Sequence, residues 1–179
     1  MPHVRFRRLL MEDLPRLHVW LNRPHVLEFY GQRRVTPEEV RRKYEPRLHP
    51  ESRVQPWIVL VDDRPAGYVQ WYWLRDHPPG IAGWCDLDGA AGLDVFLGEP
   101  TLLGQGVGSA AINDFIRDVL VAGHGVTRVL IDPAVTNVRA IRAYEKVGFR
   151  RLSTFEAPNP TSPCFMLFEP PERPCPHGR

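Results

Sequence analysis

The sequence is poor in the features that mark membrane, secreted and metal-binding proteins. No run approaches the roughly 18 consecutive apolar residues of a transmembrane helix, so no membrane association is predicted. No apolar stretch precedes a small-residue cleavage site near the N-terminus, so we also predict no signal peptide. The 3 cysteines are too widely spaced for a disulfide framework or a metal pair, and the 7 histidines show no metal-ligand spacing. We therefore expect a cytoplasmic protein without a metal site.

Lysine is also scarce, because Lys43 and Lys146 are the only lysines among the 23 basic residues. The net charge of +2 hides an uneven distribution along the chain. Residues 1–53 carry 12 basic and 7 acidic side chains, whereas residues 60–132 carry 4 basic and 10 acidic ones. The acidic excess predicts either a surface that attracts cations or an ordinary solvated face. Acids interrupt the arginines of residues 33–47, so no nucleic-acid partner is predicted.

Length and composition predict one globular domain. The chain has 179 residues, of which 43% are hydrophobic and 25% charged, and this balance is typical of a soluble domain with a buried core. We predict a single domain over residues 1–169. The proline-rich residues 170–179 are predicted to form a disordered tail.

The hydrophobic pattern predicts alternating strands and helices. Strands are predicted over residues 3–9, 57–61, 66–73, 93–97, 126–131, 149–155 and 164–168. Helices are predicted over residues 12–22, 37–48, 106–121 and 137–147. Thr36 and Glu39 form a capping box for the second helix, Gly123 and Gly125 are expected to end the third, and residues 75–91 form a long loop.

These elements predict an α/β (α+β) domain with a central mixed, mostly antiparallel sheet that helices flank. The strands over residues 93–97 and 126–131 should be parallel, because a helix connects them and parallel neighbours need such a crossover.

The glycine-rich segment between strand 93–97 and the next helix predicts an anion site. Gly104, Gly106 and Gly108 allow a close backbone approach, and a helix N-terminus presents free N–H groups and a partial positive charge. No lysine follows the glycines as in a P-loop, and the G-x-G-x-G spacing differs from that of dinucleotide folds. A flexible turn without a ligand remains the alternative on spacing alone.

Residues Leu103–Gly108 resemble the acyl-CoA loop of the GCN5-related N-acetyltransferases (GNAT), written R/Q-x-x-G-x-G/A, although Leu103 stands where Arg or Gln is usual. Further segments resemble the aminoglycoside 6'-N-acetyltransferases of that superfamily. These segments are Leu21–His25, Gly67–Gln70, Gly92–Asp94, Gly98–Pro100, Asp132–Pro133 and Asn137–Lys146. Siderophore N-acyltransferases carry related segments and remain the competing interpretation.

The resemblance implies a GNAT fold, in which the parallel strands splay and the pantetheine arm of acetyl-CoA enters the gap. It implies acetyl transfer from acetyl-CoA to the 6'-amine of a polycationic aminoglycoside, conferring antibiotic resistance, by a monomer or homodimer. The implied cofactor-binding residues are Val95, Phe96, Leu103, Gly104, Gln105, Gly106, Val107, Gly108, Ser109, Asp132, Asn137, Ala140 and Tyr144.

Two residues are candidates for the chemistry. Asp94 lies just before the glycine loop, where the family places the base for the amine, and desolvation should raise its pKa. Tyr144 lies where the family has a tyrosine near the thiol. A tyrosine titrates near 10 and a thiol near 8.5, so a hydrogen bond to the sulfur is as plausible as full proton transfer. Asp94 could instead be a turn residue, and Tyr144 a core aromatic.

The acidic middle of the chain is consistent with a polycationic substrate. The candidate substrate-binding residues are Glu28, Phe29, Tyr30, Gln70, Tyr72, Trp84, Asp86, Asp88, Asp94 and Asp132. The basic run Arg41–Lys43 departs from the family, because relatives carry an acid near there. Each candidate could also be an ordinary surface residue.

Overall fold

A seven-stranded sheet organises the part of the chain that the computed structural model describes, which is residues 3–31, 33–76, 87–152 and 162–170. The strands are β1 (Val4–Arg8), β2 (Val54–Val61), β3 (Arg64–Trp73), β4 (Ala90–Leu97), β5 (Arg128–Ile131), β6 (Arg150–Arg151) and β7 (Met166–Phe168). Their order in the sheet is β1-β2-β3-β4-β5-β7-β6. Neighbours are antiparallel except β4 and β5, which are parallel. The predicted mixed, mostly antiparallel sheet is confirmed.

Helices cover both faces of this sheet. They are α1 (Leu14–Leu21), α2 (Pro24–Val26), α3 (Pro37–Tyr44), α4 (Val107–Asp114), α5 (Ala122–His124) and α6 (Val138–Val147). The wider turns of π-helices follow α2 over Leu27–Gly31 and join α4 to α5 over Phe115–Val121, while a 3-10 turn over Glu45–Leu48 extends α3. Thr36 and Glu39 form the predicted capping box at the start of α3.

Several predicted boundaries were wrong. Strand β4 begins at Ala90 rather than at residue 93, because residues 90–92 already pair with β5. The helix after the glycine loop continues through Gly123, and Gly125 ends it in the left-handed conformation. Strand β5 begins at Arg128, two residues later than predicted. The central part of the predicted 75–91 loop, the end of the 149–155 strand and nearly all of the 170–179 tail lie outside the described residues.

Successive residues of the central strands belong to two different cores. Val69 of β3 is buried with residues of α4, β5 and α6, whereas Tyr68 is buried with residues of α1 and α3. Because side chains alternate between the faces of a strand, α4 and α6 pack on one face of the sheet and α1 and α3 on the other. Within the described ranges, no helix combines the length and apolar character needed to cross a membrane.

Candidate active site

The parallel strands β4 and β5 separate in the middle of the sheet. They pair at Ala90–Arg128, Ala91–Val129 and Gly92–Leu130, and the ladder then stops although β4 continues for five residues to Leu97. Strand β4 stays paired with β3 up to Leu97, so the gap opens on its β5 side.

Backbone groups of β4 face this gap. The N–H of Gly98 donates to the carbonyl of Ala66 in β3, whereas the carbonyl of Leu97 accepts a hydrogen bond of 3.0 Å from Nε2 of His25. Because backbone groups point to alternate sides along a strand, those of Val95 face the same side as those of Leu97. Val95 therefore presents an N–H and a carbonyl oxygen to the gap.

A cavity of about 790 Å³ passes through the splay and reaches both faces of the sheet. Val26 of α2 and Lys43 of α3 line it on one face, and Ile112 of α4 and Tyr144 of α6 line it on the other. The side chain of Asp94 lines the cavity from the central strand. The volume suits a small-molecule site, and the route through the sheet gives room for two reactants that enter from different sides.

The Asp94 carboxylate sits in a partly desolvated position with one neutral hydrogen-bond donor. Burial raises the pKa of Asp94 above its ordinary value, as the sequence predicted. The amide of Gln70, directly opposite on β3, donates to Oδ2 of Asp94 at 2.7 Å and lowers the pKa in part. The positive charges of Arg47 and Lys43 lower it further, and neither cation is evident near Asp94 in the sequence.

A second carboxylate and a buried phenol complete this part of the cavity. Burial among protein atoms raises the pKa of Asp132 to about 6, and the negative charge of Asp94 contributes. Burial also raises the pKa of Tyr144, which is only 8% exposed, and both carboxylates add to the shift. The Tyr144 hydroxyl therefore remains protonated at neutral pH and is available as a donor.

The Tyr72 ring packs against the backbone of Gly92, two residues before Asp94. A Cβ built at Gly92 would stand 2.4 Å from the Tyr72 ring, so only glycine fits opposite this side chain. Burial raises the pKa of Tyr72, and the negative charges of Asp94 and Asp132 raise it further.

The glycine loop forms a cradle at the N-terminus of α4. Gly104 and Gly106 have φ of +76° and +80°, and a Cβ built at either would meet no atom within 4 Å. Both glycines line the cavity, as do Gly108 and Ser109 in the first turn of the helix. The first N–H groups of a helix have no partner within it, so they are available to an anion such as a diphosphate.

Asn137 has two available functions. Its Oδ1 accepts from the N–H of Ala140 at 3.2 Å and so caps α6. The residue also lines the cavity, and the cap does not use the NH₂ group of its side chain.

The Leu21–His25 and Gly98–Pro100 segments hold the end of β4 to the helices. Arg23 donates to the carbonyl of Gly98 and to Glu99, both at 2.6 Å, and the indole of Trp20 donates to Glu99 at 2.8 Å. A Cβ at Gly98 would stand 2.3 Å from the Trp20 ring. These residues therefore fix the position of the strand that carries Asp94.

The structure brings most of the predicted site residues to one cavity. Those that line it are Phe29, Tyr30, Gln70, Asp94, Val95, Phe96, Leu103, Gly104, Gly106, Gly108, Ser109, Asp132, Asn137, Ala140 and Tyr144. Five predicted residues are not among its lining residues, namely Glu28, Tyr72, Asp88, Gln105 and Val107. Trp84 and Asp86 lie outside the described residues.

The side chains of these five residues have different surroundings. The Val107 side chain is 1% exposed and packs with Val61 and Ala66, so only its backbone could contact a ligand. Glu28, Asp88 and Gln105 are exposed, and Tyr72 lies over Gly92.

Sequence reasoning missed the basic residues of the cavity. Arg139, Arg142 and Lys146 of α6 line it, and their spacing of three and four residues could have indicated a common helix face. Lys43 also lines it, although in the sequence this residue indicates only a departure from the family. Among the described residues, no group of three or more His, Cys, Asp or Glu could hold a metal ion.

Comparison with known proteins assigns this architecture to a class. The family model described as Acetyltransferase (GNAT) domain matches residues 9–157. The fold is thus that of an acetyltransferase domain. An aminoglycoside N(6')-acetyltransferase type 1 of Klebsiella pneumoniae is 32% identical over 167 residues, which is 87% of this chain and 78% of that protein. The chain belongs to the GNAT acetyltransferase family.

Two further relatives differ in the molecule that each is named for or bound to. The structure of AAC(6')-Ib in complex with paromomycin and acetyl-CoA is 32% identical, superposes with a TM-score of 0.80 and covers 93% of both chains. The N(6)-hydroxylysine O-acetyltransferase of Escherichia coli is 26% identical over 170 residues, which is 90% of this chain but 53% of that protein.

Proposed function

We propose that the chain transfers the acetyl group of acetyl-CoA to the 6'-amine of an aminoglycoside. The observation that carries this proposal is the cavity through the splay of β4 and β5, in which a desolvated Asp94 lies beside unpaired backbone of the same strand. The similarity to aminoglycoside acetyltransferases over most of both chains supports the choice of acceptor.

The residues around the glycine loop fit coenzyme A. The free N–H groups at the start of α4 suit the diphosphate, and Arg139, Arg142 and Lys146 add positive charge along the cavity. The gap beside Val95 suits the pantetheine arm, which can replace the missing strand pairing. When bound, acetyl-CoA supplies an activated acyl carbon. The N–H of Val95 and the side chain of Asn137 are the donors that we assign to its amide and thioester oxygens.

Asp94 is the residue that we assign as general base. An ammonium group of the acceptor must lose a proton before it can attack a carbonyl, and a carboxylate with a raised pKa accepts it more readily than an ordinary one. Asp94 also attracts the ammonium form and so orients the amine. Asp132, with its pKa of about 6, is the second carboxylate for a polycation.

Tyr144 is assigned as a hydrogen-bond donor to the sulfur. Full transfer of its proton to a thiolate is uphill even from the ordinary pKa of about 10, and burial makes it a weaker acid still. A donated hydrogen bond stabilises the leaving thiolate without that cost.

The competing siderophore interpretation predicts a histidine-centred site. His25 does line the cavity, but its Nε2 is engaged with the carbonyl of Leu97. The two carboxylates, which suit a cation, therefore favour the aminoglycoside.

Thiol release from acetyl-CoA tests the proposal. Kanamycin-type acceptors with a free 6'-amine should release thiol at least tenfold faster than matched acceptors with a 6'-hydroxyl. Equal rates with both, or release only with an N-hydroxylysine, would overturn the choice of acceptor. Release with none of these amines would overturn the activity.

A further inference from the structure

A chain of three side chains connects the surface of the α3 region to Asp94. Nη1 of Arg47 donates to Oε1 of Gln70 at 2.6 Å, and Nε2 of Gln70 donates to Oδ2 of Asp94 at 2.7 Å. Gln70 is 8% exposed, so these bonds are shielded from water. Arg47 follows α3 in the 3-10 turn and places its guanidinium 5.2 Å from the centre of the Tyr44 ring.

The donor and acceptor inventory of this chain determines how the Gln70 amide is oriented. A guanidinium can only donate, so it requires the carbonyl oxygen of Gln70 on its side. The hydroxyl of Tyr68 also bonds to Oε1 at 2.7 Å, but a hydroxyl could accept from an NH₂ group equally well. Arg47 is therefore the neighbour on that side that excludes the reversed amide.

The orientation matters most when the carboxyl group is protonated. An ionised Asp94 accepts only and keeps the NH₂ group facing it without help, whereas a protonated Asp94 could donate to a reversed amide. A fixed donor thus favours the ionised carboxylate over the protonated one.

We propose that Arg47 is a positioning residue for Asp94, which it controls by holding the NH₂ group of Gln70 towards the carboxylate. The inference rests on the proposed function in so far as Asp94 is the base. Arg47 acts through Gln70 rather than on the reactants, and it keeps the base in the form that can accept a proton.

Other charged and titratable groups also face Asp94 and must be held constant in a test. They are Tyr30, Lys43, Tyr44, Tyr68, Tyr72, Asp132 and Tyr144, which come from the π-helical turn after α2, from α3, from β3, from the end of β5 and from α6. Lys43 contributes a positive charge without a hydrogen bond to Gln70, so it gives a measure of charge alone.

The test compares Arg47→Met with Arg41→Met, which removes an exposed arginine from α3 itself. The pKa of Asp94 is measured by ¹³C NMR of carboxyl groups in the full chain without substrate, with Asp94→Asn to assign the signal. Arg47→Met should raise this pKa by about 0.5 to 1 unit, which is less than a directly adjacent charge would give. Arg41→Met should leave it unchanged, and Arg47→Lys, which keeps a donor and a positive charge, should hold it close to the original value. The acid limb of kcat/KM should move to higher pH by the same amount.

A Gln70→Ala background separates positioning from charge. If Arg47 acts through the amide, Arg47→Met should shift the Asp94 pKa by less than half as much when Gln70 is absent. An equal shift in both backgrounds, or no shift in either, would overturn the positioning role. Because the titration needs no acceptor, it stays informative if no aminoglycoside is acetylated, and that outcome would count against the proposed function alone.

Discussion

At the scale of single residues, the two carboxylates of the cavity differ in their neighbours. Asp94 has a fixed donor in Gln70 and two cations nearby, and these moderate the effect of burial on its pKa. For Asp132, burial and the charge of Asp94 act together and raise its pKa to about 6. Asp94 is therefore suited to work as a base near neutral pH, and Asp132 to gain its full charge when an ammonium group approaches.

Replacing Asp94 by Asn should lower kcat at least about 100-fold, the low end of what general-base catalysis contributes. The amide keeps the size of the side chain but cannot accept the proton of the amine. Steady-state thiol release measures the loss, and the dissociation constant of coenzyme A should stay within about twofold. A variant within a few-fold of the original kcat would remove Asp94 from the base role.

Asp132→Asn should stabilise the free protein at pH 8 but not near pH 4. A carboxyl group whose pKa is raised on folding stabilises the fold when protonated, and that contribution is lost as the pH rises through about 6. Asn has no ionisable side chain, so the variant does not lose this contribution at high pH. Because Asp132 is partly exposed, solvent screening limits the gain to under about 1 kcal/mol, or roughly 2 to 4 °C in Tm. Thermal melts of the variant and the original protein at both pH values measure the difference in Tm. An equal difference at both would contradict the assignment.

Lys43→Gln should lower KM for a polycationic acceptor about three- to tenfold at low salt. Lys43 lines the cavity next to Asp94 and would repel an ammonium group of the acceptor. Repulsion between two unit charges about 4 Å apart in water is worth roughly 1 kcal/mol. Initial rates at varied acceptor concentration measure the change, which should shrink at about 0.5 M salt. Arg41→Gln, on the exposed side of the same helix, should leave KM unchanged. A higher KM in Lys43→Gln would show that this lysine contacts the acceptor favourably.

The resemblance to the acetyltransferases makes Asp94 and Tyr144 candidates, because each lies in a short segment that matches the family. The sequence could not predict Arg47, since Arg47 is separated from Gln70 by 23 positions and nothing local distinguishes it from the other arginines of the segment. Only the packing of the α3 region against β3 brings them together.

At the scale of elements, the glycine loop shows how conformation and ligand access can be separated. Gly106 and Gly125 both have positive φ, of 80° and 67°, and a Cβ at either would meet no atom within 4 Å. Gly106 lines the cavity, whereas Gly125 ends α5 and does not. A ligand in the cavity could therefore contact Gly106 but not Gly125.

Alanine at either glycine should cost about 1 to 2 kcal/mol of stability, because a left-handed backbone disfavours Cβ. Only Gly106→Ala should also raise the dissociation constant of coenzyme A, by at least tenfold, because its methyl group would occupy the cradle. Calorimetric titration compares the two variants at a temperature where both are folded. Equal loss of coenzyme A binding in Gly125→Ala would contradict a specific contact at the loop.

Elements with local start and stop signals were predicted well. Thr36 and Glu39 form the predicted capping box of α3, and Gly125 ends α5, as the sequence indicates. The π-helical turns over Leu27–Gly31 and Phe115–Val121 were not predicted, because the apolar pattern of the sequence does not distinguish them from α-helix.

At the scale of the whole molecule, one sheet separates two cores, and the cavity reaches both of its faces. One core packs α4, β5 and α6 on one face, and the other packs α1 and α3 on the opposite face. A cofactor that fills the splay would contact residues on both faces and replace the missing pairing between β4 and β5. Its binding should therefore stabilise the whole fold.

Coenzyme A at about 100 times its dissociation constant should stabilise the protein by about 2.7 kcal/mol. For a domain of this size that is a rise in Tm of roughly 5 to 10 °C. Differential scanning fluorimetry measures the rise, and Gly106→Ala should show a smaller one at the same concentration. A rise below about 1 °C at saturation would mean that the cofactor does not bind to the folded cavity.

Strand β4 has a consequence for how such enzymes can change. It carries the Asp94 carboxylate and, one residue later, the backbone N–H of Val95 that faces the gap, so covalent geometry sets the spacing between the proposed base and a proposed donor to the cofactor. The part of the cavity wall that we assign to the acceptor comes instead from the π-helical turn, with Phe29 and Tyr30, and from α3, with Lys43. Mutations in those segments can change which amines are acetylated without changing the spacing between Asp94 and Val95 on β4. We therefore expect changes in acceptor range to arise first in those segments.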